Sequence, residues 1–124
     1  MPEWIVDGNN VMGSRPDGWW RDRPAAQRRL VDQLEDFAAD RDVAVTVVFD
    51  GRARDAGGGR RVAVHFARRS GRDAADDDIA ALVERHPEPG TLIVVTSDAA
   101  LAARVSAAGA SVSGAGTLLR ELDR

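Results

Sequence analysis

Cysteine and lysine are both absent from the 124-residue sequence, so all 17 of its Lys-or-Arg positions are arginine. Without cysteine, neither a disulfide framework nor a thiolate metal site can form. Without lysine, chemistry that requires a lysine amine is excluded. Long apolar segments are missing too: no run approaches the ~20 residues that span a bilayer, and the N-terminus has no basic region followed by an apolar one. We therefore expect a cytoplasmic protein with no membrane contact.

Acidic and basic residues are unevenly distributed along the chain. The formal net charge of -3 argues weakly against a nucleic-acid partner, yet seven arginines and a single acid, Asp55, lie between positions 52 and 72. Compositional bias alone accounts for the use of arginine in place of lysine. The basic segment itself is either a solvated face or a track for a phosphate backbone. Its arginines are Arg52, Arg54, Arg60, Arg61, Arg68, Arg69 and Arg72.

Three apolar segments each end with an aspartate. The first ends at Asp7, the second at Asp50, and the third runs through Thr96 and Ser97 to Asp98. A parallel sheet brings the carboxyl ends of its strands to one edge, where α/β proteins build their sites. We therefore expect these three carboxylates to converge.

A fourth acidic group, Asp73 and Asp76 to Asp78, opens a predicted helix between the second and third of these segments. Converging carboxylates repel one another unless a cation lies among them. Mg²⁺ and Mn²⁺ prefer oxygen ligands, and no cysteine is present to favour a softer metal. The pattern predicts a magnesium-type site at the sheet edge, of the kind used in phosphoryl chemistry.

Strand-like and helical segments alternate along the whole chain. We predict strands over residues 4–6, 43–49, 62–66, 91–96 and 110–112, and helices over 24–41, 75–86, 98–107 and 116–123, with 13–24 as loop. The strand over 62–66 has the alternating pattern of an outer strand, and Ser97 is a predicted N-cap. The expected fold class is α/β, with a mostly parallel sheet in one domain over residues 1–124.

Four short motifs occur in a fixed order between the predicted strands. They are Asp7-Gly8-x-Asn10-Val11, Val48-Phe49-Asp50, Ala75-Asp76-Asp77-x-Ile79 and Thr96-Ser97-Asp98. Together they resemble the NYN domains of the PIN-like nuclease superfamily, most closely the bacterial YacP-like branch. The resemblance implies a three-layer α/β/α domain whose acidic pocket binds Mg²⁺ or Mn²⁺ and cleaves RNA phosphodiesters.

The resemblance also assigns roles to individual residues. Asp7, Asp76 and Asp98 match the catalytic, metal-binding acids, and Asp50 and Asp77 match further metal-binding positions. Asn10 and Ser97 would support the metal ligands, and Ser97 could bind a substrate phosphate instead of acting as a cap.

Two positions depart from the family pattern. Asn9 stands where relatives often carry an aromatic residue. Asp78 lengthens the acidic doublet to a triplet, so the register of Asp76 to Asp78 is open.

RNA contacts are expected beside the acidic edge. Two alternatives remain open for the tryptophans: both stack on unpaired bases, or one closes the core while the other marks a dimer contact. His65 is expected to be structural or exposed. The predicted RNA-contacting residues are Arg52, Arg54, Arg68, Arg69, Arg72, Trp19 and Trp20.

The leading functional hypothesis is a metal-dependent endoribonuclease acting on single-stranded or loop RNA, with the ribosome as a possible partner. The main alternative is a non-catalytic RNA-binding or ribosome-associated module. A small-molecule phosphatase or phospho-receiver domain also places acids at strand ends, but these commonly use a lysine, and such a phosphatase needs an acid where Asn9 stands. The oligomeric state is left open.

Overall fold

Five strands form the sheet, as described by a computed structural model for residues 2–67 and 74–123. They are β1 (Glu3–Asp7), β2 (Ala44–Phe49), β3 (Val62–Phe66), β4 (Leu92–Val95) and β5 (Ser111–Ser113). All neighbouring pairs are parallel and the order is β3-β2-β1-β4-β5, with β1 at the centre and β3 at an edge. The predicted α/β class is confirmed. Arg68, Arg69, Arg72 and Asp73, which the sequence analysis singled out, lie outside the described residues.

Five α-helices connect these strands or follow them. They are α1 (Gly8–Gly13), α2 (Arg23–Arg41), α3 (Ala74–Arg85), α4 (Ala99–Ala107) and α5 (Ala115–Leu122). Four of them match predicted helices, but α1 was not predicted, because its glycine and asparagines resemble a turn and have low helix propensity. Its buried Val11 and Met12 show that packing, rather than propensity, stabilises this six-residue helix. Within the described ranges, no helix is long and apolar enough to cross a membrane.

The helices cover both faces of the sheet, which gives three layers. Successive residues of a strand point to opposite faces, so Val6 of β1 packs in the core formed with α1, α2 and α5. Its neighbour Ile5 packs in the other core, under α3 and α4. Helices thus pack on both faces of the sheet and hold the strand ends in place. The carboxyl ends of the strands therefore form one fixed edge of the sheet.

Gly8 allows the chain to turn from β1 directly into α1. A Cβ atom at this position would lie 2.5 Å from a ring carbon of Phe49 and 2.9 Å from the carbonyl oxygen of Val48. Any side chain would therefore push α1 away from β2. The close approach that Gly8 permits keeps the residues after Asp7 in contact with the ends of both neighbouring strands.

Candidate active site

Asp7 lies at the carboxyl end of the central strand and is only 4% exposed. Its Oδ2 accepts a hydrogen bond of 2.8 Å from the hydroxyl of Thr96. Burial raises the pKa of Asp7 to about 6, against the lowering effects of Thr96 and of the Asn10 backbone N–H. The negative charges of Asp76 and Asp50 raise it further. A buried carboxylate is therefore held close to two other acids.

Asp50 connects the end of β2 to the beginning of α3. Its Oδ1 accepts the backbone N–H of Ala75 at 3.0 Å, where a carboxylate is favourable because it satisfies a helix N-terminal donor and meets the positive end of the helix dipole. This contact brings the first turn of α3, and with it Asp76, to the edge where Asp7 lies. The structure thus brings together three of the acids that the sequence analysis proposed, Asp7, Asp50 and Asp76.

The three consecutive acids of α3 point in different directions. The negative charge of Asp76 raises the pKa of Asp7. Asp77 forms an ion pair of 2.9 Å with Arg104 of α4, and their hydrogen bond raises the pKa of Arg104. Asp78 lies 2.9 Å from Nε2 of His65 on β3. Asp76 is thus the acid of the triplet whose charge raises the pKa of Asp7, while Asp77 and Asp78 contact Arg104 and His65.

Asp98 follows β4 and caps α4. Its Oδ1 accepts the backbone N–H groups of Ala100 at 2.9 Å and Leu101 at 3.1 Å. The prediction of Ser97 as the N-cap is therefore wrong by one residue, because α4 begins only at Ala99. Thr96 links Asp98 to Asp7, since its Oγ1 accepts the backbone N–H of Asp98 at 3.1 Å while it donates to Asp7.

Ser97 and Asn10 join the end of β4 to other elements. The Oδ1 of Asn10 accepts the backbone N–H of Ser97 at 2.8 Å, and the Oγ of Ser97 accepts the backbone N–H of Ala115 at the start of α5 at 2.9 Å. Both residues thus hold the backbone next to Asp98. On the other side, Oδ1 of Asn9 accepts the backbone N–H of Asp50 at 2.8 Å.

Sequence reasoning missed two members of this site, Thr96 and Asn9. Thr96 could have been found from strand alternation, because it lies two residues after the buried Val94 and so faces the same side as Asp7 on the neighbouring strand. Asn9 was noted as a departure from the family pattern and as an argument against a phosphatase, and no sequence signal reveals its contact with Asp50.

Trp19 and Trp20 form a short 3₁₀ helix just before α2. Their rings meet edge to face, with centroids 5.9 Å apart. Trp19 packs against the core, whereas Trp20 is 57% exposed. The guanidinium of Arg21 lies 5.8 Å from the Trp20 ring, and that of Arg23 lies 5.2 Å from the Trp19 ring. The two tryptophans therefore differ in environment: Trp19 packs against the core, and Trp20 presents its ring to solvent.

The basic segment is only partly described. Arg52 and Arg54 are exposed in the loop that leaves the carboxyl end of β2, directly after Asp50. Arg61 pairs with Asp42 at 2.7 Å, close to where β2 begins, on the side of the sheet away from the acids. Among the described arginines of this segment, Arg52 and Arg54 thus lie next to Asp50, at the acidic edge.

The donor set has the chemistry that a hard divalent cation requires. All candidate ligands are carboxylate oxygens, and the buried Asp7 is surrounded by charges that a cation would neutralise. Among residues 2–67 and 74–123, however, no three acidic or histidine side chains already form a cluster that could hold a metal ion. The residues fit Mg²⁺ or Mn²⁺ by type and by electrostatics, without a ready-made set of ligands.

Comparison with solved structures finds similarity to two structures of one protein. A single-residue variant of Rae1 (YacP) from Bacillus subtilis is 27% identical, with a TM-score of 0.82 and coverage of 99% of this chain and 76% of that chain. A second structure of Rae1 (YacP) from Bacillus subtilis is 25% identical, with a TM-score of 0.78 and coverage of 99% and 74%. No curated protein matches the chain.

The family profile that describes the YacP-like NYN domain matches residues 4–124, which is nearly the whole chain and includes every acid of the site. The fold, the order of the motifs and this match agree. The chain therefore belongs to the YacP-like NYN domain family, a family of nuclease type.

Proposed function

We propose that the protein is a metal-dependent endoribonuclease that hydrolyses phosphodiester bonds in single-stranded or loop RNA. One observation carries the proposal: Asp7 is buried at the carboxyl edge of the sheet beside Asp76 and Asp50, whose charges raise its pKa. Gathering negative charge at a surface that only binds a polyanion would weaken binding. The arrangement becomes favourable when a divalent cation joins the carboxylates to a phosphate.

Asp7, Asp76 and Asp98 are the residues we expect to hold Mg²⁺ or Mn²⁺, with Asp50 beside them. Asp77 would join them only by giving up its ion pair with Arg104. A bound cation would supply an activated water and neutralise the charge that develops on the phosphate.

The chain's own residues prepare Asp7 for this role. The Thr96 hydroxyl donates to Oδ2 of Asp7 and so orients the carboxylate. With a pKa of about 6, Asp7 is mostly ionised at neutral pH even without a metal. Asn10 and Ser97 hold the end of β4, and with it Asp98, against the neighbouring elements.

RNA would be held by side chains around this edge. Trp20 offers an exposed ring for stacking on an unpaired base, and Arg52 and Arg54 offer charge for the phosphate backbone. The proposed partner is therefore RNA in the cytoplasm, either free or bound to the ribosome. Such stacking requires bases that are not already paired, which favours single-stranded and loop substrates.

Replacing Trp20 by alanine should weaken binding of a single-stranded RNA by about 5- to 150-fold, because base–aromatic stacking contributes ~1–3 kcal/mol. The melting temperature should change little, since the Trp20 ring is exposed. Trp19→Ala is the matched control and should lower the melting temperature, because Trp19 packs against the core. Fluorescence anisotropy with labelled RNA measures the affinities. Unchanged affinity in Trp20→Ala, together with a loss of self-association, would show instead that Trp20 is a dimer contact.

The alternative function is a non-catalytic RNA-binding or ribosome-associated module on the same fold. It is favoured by one observation, that no ready-made metal cluster exists among the described residues. Calorimetric titration of the protein with Mn²⁺ separates the two functions. A nuclease should bind Mn²⁺ and lose that binding in Asp7→Asn, whereas absence of Mn²⁺ binding in both proteins would favour the module.

A further inference from the structure

Asn9 lies in the first turn of α1, two residues after Asp7, and reaches sideways to the end of the neighbouring strand. Its Oδ1 accepts the backbone N–H of Asp50 at 2.8 Å. Asp50 in turn accepts the backbone N–H of Ala75 through its own Oδ1 at 3.0 Å. Ala75 precedes Asp76 in the first turn of α3. Two successive hydrogen bonds therefore connect the segment that carries Asp7 to the helix that carries Asp76.

We propose that Asn9 is a positioning residue, which acts through Asp50 to set the place of Asp76 relative to Asp7. The inference deepens the proposed function and rests on it, because the spacing of the two acids matters only if they share a cation. It also gives Asp50 a role as the middle link of this connection. Asn9 would thus influence metal binding without contacting the metal.

Charge repulsion explains why such a connection is needed. Asp7 and Asp76 repel each other without a cation, and Asp50 adds to the negative charge. The first turn of α3 must therefore be held at the edge by contacts that do not depend on the metal. The carboxylate of Asp50 does so by satisfying a helix N-terminal donor, and Asn9 fixes the backbone of Asp50 in turn.

The chemistry of the amide suits this position. An amide oxygen accepts the Asp50 N–H without adding another charge beside Asp7, whereas an aspartate would keep the acceptor and add one. Asn10, the next residue, makes the corresponding contact on the other side of β1, to Ser97. The two asparagines thus fix the strand ends on both sides of Asp7.

The test compares Mn²⁺ binding and amide hydrogen exchange in the full-length wild type, Asn9→Ala and Asn9→Asp. In Asn9→Ala, exchange of the Asp50 and Ala75 amides should accelerate and Mn²⁺ affinity should fall about 10- to 100-fold, the usual effect of losing a residue that orients metal ligands. Asn9→Asp retains the hydrogen-bond acceptor. It should restore slow exchange of the Asp50 and Ala75 amides and most of the Mn²⁺ affinity. If Asn9→Ala does not fold, Asn9→Ser is the substitute, because its hydroxyl is too short to reach the Asp50 amide.

Cleavage kinetics give a further readout. A positioning role predicts that Asn9→Ala lowers kcat by a larger factor than it raises the KM for RNA, because Asn9 is not among the proposed RNA contacts. Mn²⁺ affinity equal to that of the wild type, despite faster exchange at Asp50, would overturn the proposal and leave Asn9 a purely structural role. Unchanged exchange at Ala75 would overturn it as well. A wild type that binds no Mn²⁺ would contradict the proposed function itself and, with it, the positioning role.

Discussion

Asp7→Asn is expected to make the metal-free protein more stable than the wild type at neutral and alkaline pH, although it should abolish cleavage. Burial raises the pKa of Asp7 from its usual 3.8 to about 6. Below the unfolded pKa of ~3.9 the Asp7 carboxyl is protonated in both states and burying it costs no charge. As the pH rises through about 6, the folded protein must ionise a buried carboxyl, and its stability falls. The loss amounts to at most about 3 kcal/mol, since one pKa unit corresponds to ~1.4 kcal/mol.

The measurement is urea unfolding in EDTA at a series of pH values from about 4 to about 8. The two proteins should have similar stability at the acidic end, and Asp7→Asn should gain over the wild type by about 1–3 kcal/mol as the pH rises. The exposed Asp36 provides a matched control, because Asp36→Asn should not change the pH profile in this way. Adding Mn²⁺ should then stabilise the wild type and not Asp7→Asn. A constant difference between the two proteins at every pH would contradict the buried, charge-surrounded state of Asp7.

Asp76→Asn is expected to reduce cleavage by on the order of 10³-fold, because loss of a proposed metal ligand would remove several kcal/mol of transition-state stabilisation. Its neighbour offers a sharp comparison. Asp77 is engaged with Arg104 on the surface between α3 and α4, so Asp77→Asn should retain cleavage within about threefold. The measurement is the cleavage rate of each variant with Mn²⁺ and saturating RNA, and circular dichroism confirms that both variants fold. The reverse order of effects would mean that the acids of α3 act in a different register.

The architecture was predictable because it follows from local patterns that packing reinforces. Apolar segments bounded by turn residues indicated β1, β2 and β4, and an alternating pattern indicated β3. The alternation of strands with helical segments indicated a parallel sheet. The same logic placed Asp7 and Asp50 at one edge. The helix α1 escaped prediction, since Gly8 and the two asparagines are turn residues whose helical state depends on contacts with β2 that are distant in sequence.

Details of the site depend on side-chain directions, which sequence spacing alone does not determine. Asp76, Asp77 and Asp78 are identical residues in sequence, yet Asp77 contacts Arg104 and Asp78 contacts His65, because successive residues of a helix point about 100° apart. The charge of Asp76 instead raises the pKa of Asp7. Likewise, Trp19 and Trp20 are adjacent and identical, and only the packing of the core distinguishes the supporting ring from the exposed one.

Cleavage of a 5′-labelled, mixed-sequence RNA by the wild type and Asp7→Asn, with Mn²⁺, with Mg²⁺ and with EDTA, tests the central claim most directly. We predict that the wild type cuts the RNA with either metal and not with EDTA. By similarity to the nuclease superfamily, we expect the products to have 5′-phosphate and 3′-hydroxyl ends. Asp7→Asn should cut under none of these conditions. Cleavage that persists in EDTA, or that Asp7→Asn performs as well as the wild type, would contradict the claim that the acids at the sheet edge form a metal-dependent nuclease site.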